Sequence, residues 1–453
     1  MSVTSAFRMV RAVAERADPT AEITTGELAT QLGMSLSAAS RLAAELAAVQ
    51  LLQRVGYGCY RLGARSVRLS GRAAAPVARS VGFALTLAAQ QTGETACLAA
   101  ESEGGMRIIA AVTSVWTLHS PAELGDRVHD PRSAIVRAAH AADPGFIEST
   151  VGQSVEVAVR ILGPQGECLA VLAVRMPANR AHEGVPRARR ALRTARQSIE
   201  RDVAALRREG SDHLDHRGDS ALAAALGILD HLADAPDTLS GVAAAVGLRR
   251  DRTQRLLESC ERAGVVIADA SGYSVAWSVH GWYRAALTPT IIDRGRPLVA
   301  ATAGRTGACA YITVLRGMRS FTLVEELEQV GEGLRMAPWQ GRPHPIIGSD
   351  GGAALASDFD PAELALLLPN RHSPREVTEL QERVARVAER GVLTIESIDE
   401  AGQVSISAPV RDAAGAVAAA ACIVGATDYI RPRVKELEAA AQQLAREVSA
   451  LLR

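Results

Sequence analysis

The chain is written twice, and that limits its possible folds more than any other feature. "ELATQLGMSLSAASRLAAELAAVQLL" (27–52) sets over "GVAAAVGLRRDRTQRLLESCERAGVV" (241–266), with Gly33 on Gly247, Arg41 on Arg255 and Leu42 on Leu256. "TGETACLAA" (92–100) resembles "AGRTGACAY" (303–311), and "VAVRILGPQGECLAVLAV" (157–174) resembles "SAPVRDAAGAVAAAACIV" (407–424). The order is the same in both halves, with a period a little over two hundred residues. Solenoid repeats are far shorter, so the repeated unit is itself about two domains long. The length of 453 residues agrees, since it predicts about three or four domains. The polar stretch "RREGSDHLDHRGDS" (207–220) reads as the join.

Each copy opens with a small helical module. In the first, "SAFRMVRAVAER" has amphipathic helical spacing, and "TTGELATQLG" follows with Thr25 as its expected N-cap. Gly33 ends that helix, because the turn favours a left-handed residue. "SLSAASRLAAELAAVQLL" is a third helix, and "QRVGYGCYRLG" is two short strands around Gly56 and Gly58. The second copy repeats the series in "ALAAALGILDHLA", "TLSGVAAAVG", "RRDRTQRLLESCERAG" and "VVIADASGYSVAW". Helix, turn, helix, hairpin is the winged helix-turn-helix pattern. A mixed region follows in each copy, with strands such as "ACAYITVLRG" and "QVSISAPVRD" and helices such as "PREVTELQERVARVAERG". Long charged amphipathic helices, 184–208 and 430–453, close the two copies. This predicts an α/β sensor-like domain after each module.

Bulk composition excludes several classes of function. Hydrophobic residues make up 48% of the chain and aromatics only 3%, so the cores must be built from Ala, Val and Leu. Net charge is zero, so no global field draws the chain to nucleic acid or membrane, and any polyanion must be held by local clusters. The six cysteines are scattered without a C-x-x-C, which predicts free thiols in a reducing cytoplasm rather than disulfides or a zinc site. The N-terminus lacks a signal-peptide core, and the longest apolar run, "GAVAAAACIVGA", is too short to cross a bilayer. A cytoplasmic protein without a membrane partner is expected. There is no G-x-S-x-G elbow, Walker loop or H-E-x-x-H. "GSDGG" lacks the lysine of a phosphate loop. His213 and His216, with Asp212 and Asp215 nearby, sit in the polar join. No enzyme, cofactor or metal is therefore expected.

One local cluster stands out. "VGLRRDRTQRLLES" (246–259) holds Arg249, Arg250, Arg252 and Arg255 within seven positions. On a helical wheel Thr253, Leu256, Leu257 and Cys260 converge on a core side, and Asp251, Gln254, Arg255 and Glu258 face away. Arg255 and Gln254 point where a recognition helix meets base edges, since Arg suits guanine and Gln suits adenine. Arg249, Arg250 and Arg252 flank that face and suit phosphates. An i, i+4 pair between Asp251 and Arg255 is the purely structural reading. The matching face of the first copy has Ser35 at the helix start, then Ser37, Ser40, Arg41 and Ala44. Arg54, Arg61, Arg65 and Arg68 lie around its wing, with Tyr57 and Tyr273 expected at the two wing tips, either to touch the minor groove or simply to pack the hairpin.

These motifs together resemble the IclR family of bacterial transcriptional regulators, in two tandem copies spanning nearly the whole chain. The first module reads "ELATQLGMSLSAASRLAAEL"; the second sensor region reads "AGRT", "LRMAPWQGRPHP", "GGAALA" and "SISAPVRDAAG". The resemblance implies winged helix-turn-helix domains (mainly α with a β-hairpin wing) at 1–70 and 220–284. It implies α/β GAF-like effector domains at 71–206, in shortened form, and at 285–453, with a linker at 207–219. It further implies an effector pocket in the second effector domain, formed by Met336, Trp339, Gly348, Ser349, Asp350, Ile395, Ser405, Ser407 and Cys422. Ile395 stands where the family often has an acidic residue, pointing to a more apolar ligand such as an aromatic acid. The first effector domain lacks most of the helical insert at about 360–400 and is expected to act as a scaffold. The implied partners are double-stranded DNA with unequal half-sites, a small organic acid and further copies of the chain, as a dimer of pseudo-dimeric chains. The rival reading is a ligand-sensing scaffold that acts through protein partners.

Overall fold

The computed structural model describes residues 2–206, 220–270, 272–327, 329–331, 334–368, 372–398 and 400–453. The expected linker, with its His213 and His216, lies outside the described residues. The chain divides into two compact units, Met1–Ala88 with Glu94–Ala286, and Ala89–Gly93 with Leu287–Arg453.

The first unit opens with α1 (Val3–Ala14), a short strand β1 (Ile23–Thr24), α2 (Thr25–Leu32) and α3 (Leu36–Ala48). Thr24, not Thr25, caps α2. Thr24 is extended, its hydroxyl accepts from the Glu27 N–H at 3.2 Å, and the Glu27 carboxylate accepts from the Thr24 N–H at 2.8 Å. Glu27 sits at the third helical position only when Thr24 is the cap, so this reciprocal pair selects the residue. Gly33 ends α2 with φ 63°. Strands β2 (Leu52–Gly56) and β3 (Cys59–Leu62) form the hairpin, and β1 pairs with β3.

A long helix α4 (Ala64–Thr92) leads into an α/β domain. It contains β4 (Thr95–Ser102), β5 (Gly105–Val112), β6 (Arg127–Val128), α5 (Ala134–Ala139), β7 (Ile147–Val151), β8 (Ser154–Leu162), β9 (Cys168–Pro177) and α6 (Ala181–Ala205). The six strands form one antiparallel sheet in the order β6-β5-β4-β9-β8-β7. The second helical module follows as α7 (Ala221–Leu232), α8 (Leu239–Ala245), α9 (Arg250–Arg262), β10 (Val266–Asp269) and β11 (Gly272–Val275). Both helical modules share one apolar core, in which Phe7, Leu28 and Leu46 pack in the same cluster as Leu226, Leu229 and Leu257. Tyr273, next to the turn of its hairpin, is half-buried and packs against this core, and its backbone pairs with Asp237.

The second unit takes in the end of α10 (Trp282–Thr290), then α11 (Arg296–Thr306), β12 (Cys309–Arg316), β13 (Arg319–Glu326), β14 (Gln329–Gly331), β15 (Leu334–Arg335) and β16 (His344–Pro345). It continues through α12 (Gly352–Leu355), α13 (Pro361–Leu367), α14 (Pro374–Arg390), β17 (Leu393–Glu396), β18 (Gln403–Arg411), β19 (Val417–Ala426), α15 (Thr427–Ile430) and α16 (Val434–Leu451). Its six-stranded sheet runs β16-β13-β12-β19-β18-β17, the same order as the sheet of the first unit. Helices α13 and α14 occupy the place where the first domain passes directly from α5 to β7.

The two sheets also set the register between the two sequence segments. Thr95 pairs with Arg175 and Ala96 with Val174, as Cys309 pairs with Val424 and Ala310 with Ile423. Both first strands carry a bulge at the same place, Leu98/Ala99 and Ile312/Thr313. The matching stretches are therefore "TGETACL" and "TGACAYI", three residues from the alignment read off the sequence, with Gly93 and Gly307 both left-handed at φ 74° and 64°. Val157 likewise matches Ile406, one residue from the sequence alignment. Ala-rich strands align almost equally well at several registers. Sheet pairing and the turn glycine choose between them, and a one-residue slip would turn every side chain to the other face.

Candidate functional site

In the second α/β domain, alternation along β12 builds a floor with two chemistries. Ala310, Ile312 and Val314 enter the apolar core with Leu437, Leu444 and Val448 of α16. Tyr311 and Thr313 face the other way. There they line a cavity with Ser320 and Thr322 of β13, His344, Trp339, the loop residues Gly348, Ser349 and Asp350, and Ser397, Glu400 and Gln403. The cavity is small, with about 40 Å³ open to a water-sized guest, and its mouth opens to solvent.

The walls are fixed by their own hydrogen bonds. The Glu325 carboxylate accepts from the backbone N–H of Trp339 at 2.8 Å and of Gln340 at 3.1 Å. The Trp339 ring thereby lies 5.1 Å from the Tyr311 ring at a 35° tilt. Ser320 Oγ and Ser349 Oγ are 2.7 Å apart, tying β13 to the loop. The loop approaches the sheet so closely that a Cβ at Gly351 would lie 2.9 Å from Thr313 and 3.0 Å from Cys422 Sγ.

The sheet face that carries the cavity is short of hydrogen bonds, both in the lining and beside it. Among the described residues Thr313 Oγ1, Ser407 Oγ and His344 Nε2 are buried without a partner. Ser405 Oγ also makes no hydrogen bond of good geometry, although the Tyr311 hydroxyl is close enough to feel it. Ser405 and Ser407 are each 1% exposed. Burial, then the neighbouring Cys422 and Asp350, holds the Tyr311 hydroxyl well above its ordinary pKa. Burial also raises that of the Cys422 thiol. Both groups therefore remain neutral donors. Buried polar atoms left unmet cost about 1–3 kcal/mol each, which suits a floor that meets a polar guest.

Of the residues expected from the sequence, Trp339, Gly348, Ser349 and Asp350 line the cavity. Ser405, Ser407 and Cys422 lie on neighbouring strands of the same sheet, outside the lining, with Ser407 directly opposite Cys422. Ile395 pairs with Ser405 on the edge strand, and neither it nor Met336 contributes to the lining. Thr313, Ser320, Thr322, His344, Ser397, Glu400 and Gln403 were not anticipated. A signal was present, since "AYIT" and "SFT" place polar residues two apart inside otherwise apolar strands.

In the first unit, α9 buries Thr253, Leu256, Leu257 and Cys260 and exposes Arg249, Arg250, Arg252, Gln254 and Arg255. Arg255 Nη2 lies 3.3 Å from Asp251 Oδ2, and Gln254 donates to Glu258 at 3.1 Å. In α3 the residues Ser35, Ser37, Ser40 and Arg41 are exposed, as is Arg54 on β2. Tyr57 is 97% exposed at the hairpin tip. Arg65 is turned away from this face and ion-pairs with Asp230 of α7 at 2.9 Å.

Comparison with known proteins follows the same division. Residues 285–450 match the family model described as Bacterial transcriptional regulator IclR C-terminal. The match spans the second α/β domain. Among solved structures, an IclR-family transcriptional regulator from Rhodococcus sp. is similar at 20% identity and TM-score 0.40, covering 54% of this chain and 100% of its own. HmgR of Pseudomonas aeruginosa is similar at 23% identity and TM-score 0.36, covering 50% and 96%. The repressor BlcR of Agobacterium tumefaciens is similar at 21% identity and TM-score 0.35, covering 51% and 96%. No curated protein matches the chain by sequence. No described helix is long and apolar enough to cross a membrane.

Proposed function

We propose that the chain is a sequence-specific DNA-binding transcription regulator whose two winged helix-turn-helix modules come from a tandem duplication and pair within one polypeptide. The observation that carries this is the shared apolar core of the modules, which leaves the polar faces of α3 and α9 open to solvent. Two recognition helices held in one body would span two half-sites, and their unlike side chains would require unlike half-sites. A further pairing of chains, as a dimer of pseudo-dimers, would extend the footprint.

The effector site is the cavity of the second α/β domain. Its described lining carries Asp350 and Glu400 and no Arg or Lys, so a free carboxylate would meet two acids and no fixed cation. The lining favours a small ligand rich in hydrogen-bond donors, with hydroxyl or amine groups, over the aromatic acid suggested by Ile395. Ligand binding would shift the arrangement of the recognition helices and hence the half-site spacing they fit.

The test is DNA affinity as a function of salt. A regulator loses affinity steeply as salt rises, and Arg250→Ala lowers the slope by about one. A flat response would point instead to a scaffold working through protein partners.

A further inference from the structure

In the first α/β domain, the sheet face equivalent to the cavity is closed. Matched through strand register, Cys97 and Ala99 stand where Tyr311 and Thr313 stand, and Met106 and Ile108 where Ser320 and Thr322 stand. All four join one apolar cluster. A single carboxylate is set beside it. Glu156, 1% exposed, occupies the position of Ser405, and Arg175 beside it occupies that of Val424.

Three groups converge on this carboxylate. Ser133 Oγ donates to Glu156 Oε2 at 2.5 Å, and the Ala134 N–H donates to the same oxygen at 2.8 Å. Arg175 contributes charge: its Nε lies 3.1 Å from Oε1, out of line for a hydrogen bond, while its Nη1 donates to the Pro121 carbonyl. A hydroxyl and an amide donate to the carboxylate, and a guanidinium stands beside it as the opposite charge, which together hold a buried carboxylate ionised. Here the carboxylate is tethered, so it loses no translational freedom on docking and no free acid can outcompete it.

We propose that the first α/β domain is a carboxylate-binding site filled by the chain's own Glu156, an intramolecular ligand. This rests on reading the equivalent cavity of the second domain as the effector site. One site per chain is then permanently occupied and one is open. The closed domain holds its arrangement whatever the solution contains.

Glu156→Ala removes a fragment the size of acetate and leaves Ser133, Ala134 and Arg175 in place. The full-length variant is melted in sodium acetate and in sodium chloride at equal ionic strength. Acetate is expected to raise its melting temperature by several degrees at tens of millimolar, with no such difference for the wild type or for Glu156→Gln. An acetate response no larger than that of the wild type would overturn the proposal. If Glu156→Ala folds only when refolded in acetate, the proposal is supported. A Glu156→Gln chain as stable as the wild type would overturn it, because an amide brings no charge to Arg175. Ligand binding in the second domain is read separately, through Thr313, so a failure there leaves the acetate result standing.

Discussion

Arg11 Nη1 donates to the Ala263 carbonyl at 2.7 Å, joining the first helix of one helical module to the end of α9 in the other across 252 residues of sequence. The same guanidinium donates to the Glu15 carboxylate at 3.0 Å and to Ser102 Oγ at 2.8 Å. Glu15 in turn ion-pairs with Arg107 of β5 at 3.2 Å. Arg11 is 5% exposed, so this small network links both modules and the first sheet out of contact with water.

Arg11→Met is therefore expected to destabilise the first unit by about 3 kcal/mol, since breaking a buried pair strands its partner. Arg11→Lys should not restore the loss, because one ammonium cannot reach three acceptors set in a fork. Gly264→Ala should act in the same direction. Its Cβ would fall 2.3 Å from Arg11 Nη1, at a residue with φ 70°. Urea unfolding followed by Trp277 and Trp282 fluorescence reads all three variants. A wild-type midpoint for Arg11→Met would remove the network from any role in holding the modules together.

Acid stability should report on His280. It is fully buried beside Trp277, and burial, with a smaller contribution from Arg284, holds its pKa down at about 3. The unfolded chain binds a proton near pH 6.5, so between about 6.5 and 3 the unfolded state carries more protons than the folded one. The stability owed to the neutral imidazole is complete above pH 6.5 and is lost as pH falls towards 3, by up to about 1.4 kcal/mol per pH unit. His280→Phe should flatten the slope of stability against pH in that window, whatever it does to stability at neutral pH. An unchanged slope would mean that other groups govern acid unfolding.

Much of this architecture was legible in the sequence because the determinants are local. The wheel of α9 placed Thr253, Leu256, Leu257 and Cys260 on the buried side, where they lie, since helical period and apolar spacing are properties of one segment. Gly33 ends α2 for the same kind of reason. What failed depended on partners distant in sequence. The register of "TGETACL" is set by hydrogen bonds from β4 to β9, and Arg65 leaves the wing for Asp230, which is 165 residues away. Ser320 and Ser349 meet only after β13 and the loop are brought together. Glu156 was invisible as a site residue because nothing in "SVEVAV" announces that Arg175 will stand beside it.

The cavity floor should show a trade between stability and binding. Ser407→Ala removes a buried hydroxyl that has no described partner, so the free protein should be unchanged or more stable by up to about 1 kcal/mol. Thr313→Val removes an unmet hydroxyl that does line the cavity, and it should weaken whatever small molecule a thermal-shift screen of polyols and amines finds, by about tenfold for one lost hydrogen bond. Ser407→Ala, outside the lining, should leave that binding nearly unchanged. Binding untouched by Thr313→Val would place the ligand elsewhere.

Base reading by α9 should be confined to one half-site. In the free protein Arg255 is held by Asp251 and Gln254 by Glu258, and both must exchange these neighbours for base edges on docking. Arg255→Ala is expected to cost about 1–3 kcal/mol on the preferred operator and little on operators altered at the α9 half-site, because the discrimination itself is lost. Ser40→Ala in α3 should change affinity far less, since a short hydroxyl reads bases weakly. Binding of the full chain to a library of randomised half-sites checks both. If Arg255→Ala lowers affinity equally across the library, Arg255 is gripping phosphate and the specificity of α9 lies with other side chains.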